Sequence, residues 1–371
     1  TKEFNHFALL FLIIISCSLL GELYFSAFWE RESYEPLVTG LLFYILIILS
    51  FGLGLHTRNF NINWLSWVLY ISLFLNFVFI FFKFNLPSWL VDFYYSQAVL
   101  DDMSGLGLDG TRGILELARP RGLFPNPNGS ALMVNIITLF IFFGQKYYSY
   151  KPNKIAIIVI SIFPILLSLL LATRSGFLTA LVFGYLNLNF YMSNIDVKQK
   201  FKLWLMIGLI PLIIGGYILK NIEIEDIEKN VKRAVSVIEV VSNIDNRDSD
   251  TRALSSIARP LLTAEDAYLR FQLSPLFGSG YSATEGAPFK DGTTVFHNDW
   301  FRILVTSGLI GFFVMIKLVR SYCLVLGWPV IFPFFIPGMT NTFILNLPAV
   351  MFYFFMIGLL RRKLKLYIKN E

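Results

Sequence analysis

Long apolar runs alternate with short polar ones along most of this chain, and the length of the runs carries the first message. Blocks dominated by Phe, Ile, Leu and Val recur at about 20 residues, the length at which an α-helix crosses the hydrocarbon core of a bilayer. About ten such spans are expected, at 7–29, 37–55, 64–84, 128–145, 155–172, 175–192, 203–219, 300–317, 322–338 and 341–360. The predicted fold is all-α, a polytopic integral membrane protein forming a single membrane domain over 1–371. The first block, FALLFLIIISCSLLGELYF, lacks the small-residue cleavage signature of a secretory signal and reads as a retained span.

Two connections are long, 85–127 and 220–299. In the second, IEIEDIEKNVKRAVSVIEVVS (222–242) sets Ile227, Val231, Val235, Ile238 and Val241 at three- and four-residue steps. That spacing predicts an amphipathic helix lying on the membrane or over the mouth of the bundle. NIDNRDSDTR (243–252) is polar and irregular, a second helical stretch follows at 253–273, and the Gly and Ser residues of SPLFGSGYS (274–282) mark a tight turn.

Composition agrees with the pattern. The chain is 56% hydrophobic and only 15% charged, where a soluble domain carries about a quarter. The net charge of +6 points toward nucleic acid or anionic lipid only until the basic residues are placed. With the tail RRKLKLYIK (361–369) cytoplasmic, alternation puts both termini inside. The clusters Lys146/Lys151/Lys154, Lys198/Lys200/Lys202 and Lys317/Arg320 then fall inside too, as the positive-inside rule requires. Both long connections and the tight turn LATRSG (171–176) fall outside. Trp64, Trp89 and Trp300 lie near the expected interfaces. Most lysines are thus topology signals, and no nucleic-acid partner is predicted.

Cys17 and Cys323 fall in or beside apolar blocks and read as packing residues. The three histidines are too scattered for a metal-ligand spacing, and there is no Walker loop or dinucleotide-binding glycine pattern. Neither metal nor cofactor is predicted.

On the outer side the basic residues are mainly arginines: Arg112, Arg119, Arg121, Arg174, Arg252 and Arg259. A planar guanidinium grips phosphate or carboxylate bidentately where an ammonium cannot. In ARPRGLFPNPNGSALM (118–133), three prolines forbid regular helix before Asn128 caps the next span. The stretch is either a rigid lead-in or a cradle in which Arg119 and Arg121 hold phosphate. Arg174 stands in a turn too short to carry it far from the bilayer. It either snorkels to the interface or serves a site. Arg252 and Arg259, taken singly, read as solvated loop residues, and Glu22 within the first span receives no role. His297 stands at the cap of the eighth span, followed by Asn298 and Asp299. A histidine there is a cap or interfacial residue, or a general base near neutral pH. Gly308 and Gly311, one turn apart, form a small-residue pair that permits close helix packing.

These residues resemble the O-antigen ligase and polymerase superfamily of bacterial inner membranes. The pattern H-N-x9-G-x-x-G is met by His297, Asn298, Gly308 and Gly311. R-x-x-G-x-F followed by P-N is met by Arg119, Gly122, Phe124, Pro127 and Asn128, an Arg-Ser turn by Arg174 and Ser175, and P-L-F-G-x-G by Pro275 to Gly280. The motifs occur in the family's order from about residue 110 onward. The resemblance implies a GT-C-like glycosyltransferase whose donor is a saccharide on undecaprenyl diphosphate, working on the outer face without nucleotide sugar or metal. It further implies that Arg119, Arg174 and one of Arg252 or Arg259, with Arg121 beside them, bind the diphosphate. His297 would activate the acceptor, with Asn298 or Asp299 orienting it. The expected activity is polymerisation of lipid-linked repeats (O-antigen or capsule). The alternatives are ligation of the finished glycan to lipid A-core, a flippase for the same lipid, and a cell-wall polymerase using an outer-loop carboxylate. A chain-length regulator is a further partner this resemblance leaves open.

Overall fold

A computed structural model describes residues 2–25, 35–81, 127–171, 173–193, 195–196, 198–199, 267–281, 298–340, 343 and 346–370. Among these, all regular structure is helical. In chain order the long helices are α1 (Lys2–Phe25), α2 (Glu35–His56), α3 (Asn63–Phe81), α4 (Pro127–Tyr147), α5 (Lys154–Leu170), α6 (Arg174–Ser193), α7 (Asp299–Leu318), α8 (Trp328–Thr340) and α9 (Leu347–Asn370). Among the described residues, four helical runs are long and apolar enough to cross a membrane, Lys2–Tyr24, Asn63–Ile80, Pro127–Tyr147 and Asp299–Leu326, and the apolar parts of α2, α5 and α8 are shorter. The expected span 203–219, the amphipathic helix 222–242, the connection 85–127 before α4 and the loop run 243–252 lie outside the described residues.

The chain divides into two compact units, residues 1–60 with 250–371, and residues 61–249. In the first, α1 runs along α7 and α2 along α9. A side chain at Gly54 of α2 would collide with the Phe355 carbonyl, and one at Gly358 of α9 with the Phe51 carbonyl. These two positions therefore let the helix backbones touch. Phe7 stacks on Phe51 at 3.8 Å between ring centroids and is flanked by Phe11, Tyr322 and Phe354. One end of this unit is ionic. Glu3 pairs with Arg361 at 2.8 Å and Lys365 at 3.1 Å. Tyr322 Oη donates to the Glu3 carbonyl at 3.1 Å and lies 2.7 Å from His6 Nδ1. Arg362 donates to the last carbonyl of α2, that of His56, at 2.9 Å, where a helix end carries partial negative charge.

The expected span 322–338 is not one helix. After α7 the chain makes a π-turn (Val319–Cys323) and a 3₁₀ turn (Leu324–Leu326). It then passes through Gly327 at φ 115° before α8 begins. Pro333 and Pro337 lie inside α8. Each ring removes a ladder donor and splays the preceding turn. The carbonyls three residues upstream take outside donors: Tyr353 Oη reaches Val330 at 2.6 Å and Trp300 Nε1 reaches Phe334 at 3.1 Å.

In the second unit, α4 packs against α3, α5 and α6, and α5 against α6. Asn153 caps α5 by accepting the Ala156 N–H at 2.8 Å. Gly184 of α6 meets the Ser161 carbonyl of α5 closely enough to exclude any side chain. Buried amides join α4 to α6. Asn187 Oδ1 accepts from Gln145 Nε2 at 2.6 Å, while its Nδ2 donates to the Thr138 and Phe183 carbonyls at 3.1 and 2.9 Å. Both ends of that side chain are thereby satisfied away from water.

Candidate functional site

Among the predicted site residues, Asn298, Asp299 and Arg174 are described. The other candidates, Arg119, Arg121, Arg252, Arg259 and His297, lie outside the described residues.

Arg174 is the first residue of α6. The turn before it is short because Leu171 closes α5, donating to the Leu167 carbonyl, and Thr173 N–H reaches back to the Ser168 carbonyl at 3.1 Å. The first turn of α6 is fixed to α4. Asn135 Nδ2 donates to the Gly176 carbonyl at 2.8 Å, and a side chain at Gly176 would meet Ala131 and Thr173. Arg174 therefore opens its helix beside the first turns of α4, the helix that follows Arg119 and Arg121 in sequence. α4 itself opens at Pro127, a favoured first position, so Asn128 lies inside the first turn and not ahead of it.

In the other unit Asn298, not His297, is the N-cap of α7. Its Oδ1 accepts the N–H groups of Trp300 at 2.9 Å and Phe301 at 3.3 Å, in extended backbone. Asp299 is the acid of the first turn, 1% exposed, where the helix dipole favours negative charge. Its Oδ2 faces Gly338 of α8; a side chain added there would sit 3.2 Å away. Trp300, expected at an interface, lies against Phe312, Phe334 and Phe335. Arg302, one turn on, and Asp299 both lie close enough to Tyr44 of α2 to act on it electrostatically. The ring of Tyr44 is 5.9 Å from that of Tyr281, and Tyr281 covers Gly40. This end of the unit is opposite the Glu3–Arg361 pair, because α1 and α7 run antiparallel: Phe7 meets Tyr322 while Glu22 lies near residue 306.

Nine residues into α7 the helix breaks. Gly308 has φ 63° and ψ −166°, a conformation open essentially to glycine alone. In a continuous helix Leu309 N–H would bond to the Val305 carbonyl and Ile310 N–H to that of Thr306. Here the segment 275–280 enters between them. Leu309 and Ile310 donate to the Pro275 and Leu276 carbonyls at 2.8 and 3.2 Å, while Ser279 and Gly280 donate to Val305 and Thr306 at 2.7 and 3.2 Å. The glycine pair expected to serve close helix packing thus marks a break filled by backbone. The segment is also pressed against α1: side chains at Gly21, Gly278 or Gly280 would collide with Gly278, with Thr306–Ser307, or with Glu22.

Three charged residues here were assigned no role from the sequence. Glu22 is 1% exposed and faces the backbone of Gly280. Arg270, on the short helix 267–273, is 1% exposed and the largest fully buried side chain among the described residues. Its carbonyl accepts the Ser279 hydroxyl at 3.1 Å. Arg302 joins the Tyr44 cluster. The signal for Arg270 was its setting, YLRFQL, an arginine among apolar neighbours immediately before the turn.

The model of one protein family, described as O-antigen ligase, matches residues 131–316. That interval begins in the first turns of α4, includes Arg174, and ends beyond the Gly308 break. The chain belongs to the O-antigen ligase family. Members of the O-antigen ligase family are glycosyltransferase-like enzymes of the membrane that act on lipid-linked glycans, and the chain has an O-antigen ligase or polymerase type of function. No curated protein and no solved structure matches it.

Proposed function

We propose that this protein is a GT-C-like glycosyltransferase with about ten spans, acting as one membrane domain. It elongates undecaprenyl-diphosphate-linked oligosaccharides on the outer face of the bacterial inner membrane. The family match over residues 131–316 carries this reading, since it embraces Arg174, the loop arginines Arg252 and Arg259, and the His297 motif. Both termini are cytoplasmic in this reading and 220–299 is the extracytoplasmic loop; the ionic end formed by Glu3, Arg361 and Lys365 supports that orientation.

The chemistry follows from the donor. Breaking the sugar–diphosphate bond builds negative charge on the departing diphosphate, and fixed guanidinium groups in a poorly hydrated setting stabilise it as it forms. Arg119, Arg121, Arg174 and Arg252 or Arg259 take that role. The acceptor hydroxyl gives its proton to His297 as its oxygen attacks the anomeric carbon. Because the Asn298 oxygen is committed to capping, Asp299 is assigned the orientation of the imidazole. No cofactor or metal enters this scheme.

A second reading, transfer of the finished glycan to lipid A-core, is favoured by the description of the matched family as ligase. One experiment separates the two. Purified protein is given undecaprenyl-diphosphate-linked repeats alone, then with a lipid A-core acceptor. Longer lipid-linked glycans in the first mixture mean polymerase, and product confined to the second means ligase. Inert mixtures alongside lipid translocation in vesicles mean a flippase. His297→Ala should insert and fold yet transfer nothing; a fully active variant removes the base assignment.

A further inference from the structure

Broken membrane helices commonly leave half-helix ends that bind ions or substrate. In α7 the groups released by the break are otherwise engaged, since the Val305 and Thr306 carbonyls and the Leu309 and Ile310 N–H groups all bond to residues 275–280. The break is thus closed by backbone hydrogen bonds. Two ladder bonds are replaced by four to the inserted segment, which holds the two halves of α7 apart. The first half begins with Asn298 and Asp299. The segment is itself gripped on its other side by Gly21 and Glu22 of α1, where no added side chain fits, and tied to the buried Arg270 by Ser279.

We propose that residues 275–280, inserted at Gly308, are a positioning element for glycan transfer: a backbone splint that fixes the first half of α7, and with it the turn that follows His297, relative to α1. This rests on the proposed transferase reading and adds to it. The P-L-F-G-x-G and H-N-x9-G-x-x-G patterns are then two strands of one device. The glycines serve the splint and the polar residues at the head of α7 serve the chemistry.

The decisive variant is Leu309→Pro beside Leu309→Ala. Leu309 opens the second half-helix, where proline is tolerated, and the extended ψ of Gly308 suits a residue preceding proline. Proline removes the N–H that reaches Pro275, while alanine keeps it. With undecaprenyl-diphosphate-linked repeats as substrate, Leu309→Ala should match the wild type. Leu309→Pro should lose kcat on the order of a hundredfold with an unchanged KM for the donor. Equal turnover by the two variants overturns the proposal, as does a raised KM with unchanged kcat. A second test leaves the fold intact should the proline variant not fold. The pair Leu276→Cys with Ile310→Cys is oxidised across the splint. Full activity in the locked form supports a static positioning element, and loss of activity restored by reductant overturns it. Failure of the underlying reading looks different: the wild type transfers nothing, or His297→Ala transfers normally, and the proposal then falls with it.

Discussion

The two units solve the same problem, burying polar groups in an apolar setting, by opposite means. Between α4 and α6 the helices stay continuous and side chains do the joining, through Asn135 on the Gly176 carbonyl and the Gln145–Asn187–Thr138 relay. Between α1 and α7 a helix is opened and another stretch of backbone is laid into the gap, with glycine at every crowded position. Amide glue tolerates exchange, because a lost side chain leaves the helix ladder whole. A backbone splint does not, because what it requires is the absence of side chains at fixed places. The glycines around Gly308 therefore make room for inserted backbone, while Gly176 and Gly184 of the second unit let continuous helices approach one another.

Gly308→Ala attacks the comparison at its strongest point. Left-handed backbone that only glycine favours and a collision with Leu276 together should cost roughly 3 kcal/mol or more, seen as a large fall in the thermal midpoint in detergent. A midpoint equal to that of the wild type would mean that the helix is continuous. Arg174→Lys separates function from stability in the other unit: turnover should drop on the order of a hundredfold with the midpoint unmoved, since lysine keeps the charge and loses the fork. Normal turnover there favours the snorkelling role. Asn187→Leu strips three hydrogen bonds from a continuous helix pair and should cost about 1–2 kcal/mol, with α4 and α6 still helical by circular dichroism. Smallest is the cap. Asn298→Ala should cost about 1 kcal/mol while Asn298→Asp stays within a few tenths; equal stability of the two would deny the capping role.

The membrane helices were legible because a bilayer imposes length. The LATRSG turn was foreseen at 171–176 and lies between Leu170 and Arg174, and the starts of α3, α4, α5 and α7 fall within a residue or so of expectation. What hydropathy could not see is hydrogen bonding. It counts Leu324, Gly327 and Trp328 as parts of one apolar block, while the backbone leaves the helix there. It reads Gly308 as a small surface, while the φ angle makes it a break. Chemistry was read from residue type and fared similarly. Asn298 and Asp299 were chosen as helpers of His297, and one of them proves to cap the helix. Arg270, within the predicted helical stretch 253–273, was given no role, and burial is a property of the fold that its local sequence only hints at.

The discontinuity of the first unit has a consequence for biosynthesis. Its opening helices are made before residues 61–249, and the pieces that complete it, from the inserted segment to α9, are made after. Glu22 must enter the bilayer long before Gly280 exists to lie against it, and Glu3 waits for Arg361 until the chain is almost finished. The contiguous unit, by comparison, packs as it emerges. Ribosome-bound intermediates stalled before residue 275 should hold α4 to α6 docked and α1 against α2 but without α7, leaving that early glutamate in the care of the insertion machinery.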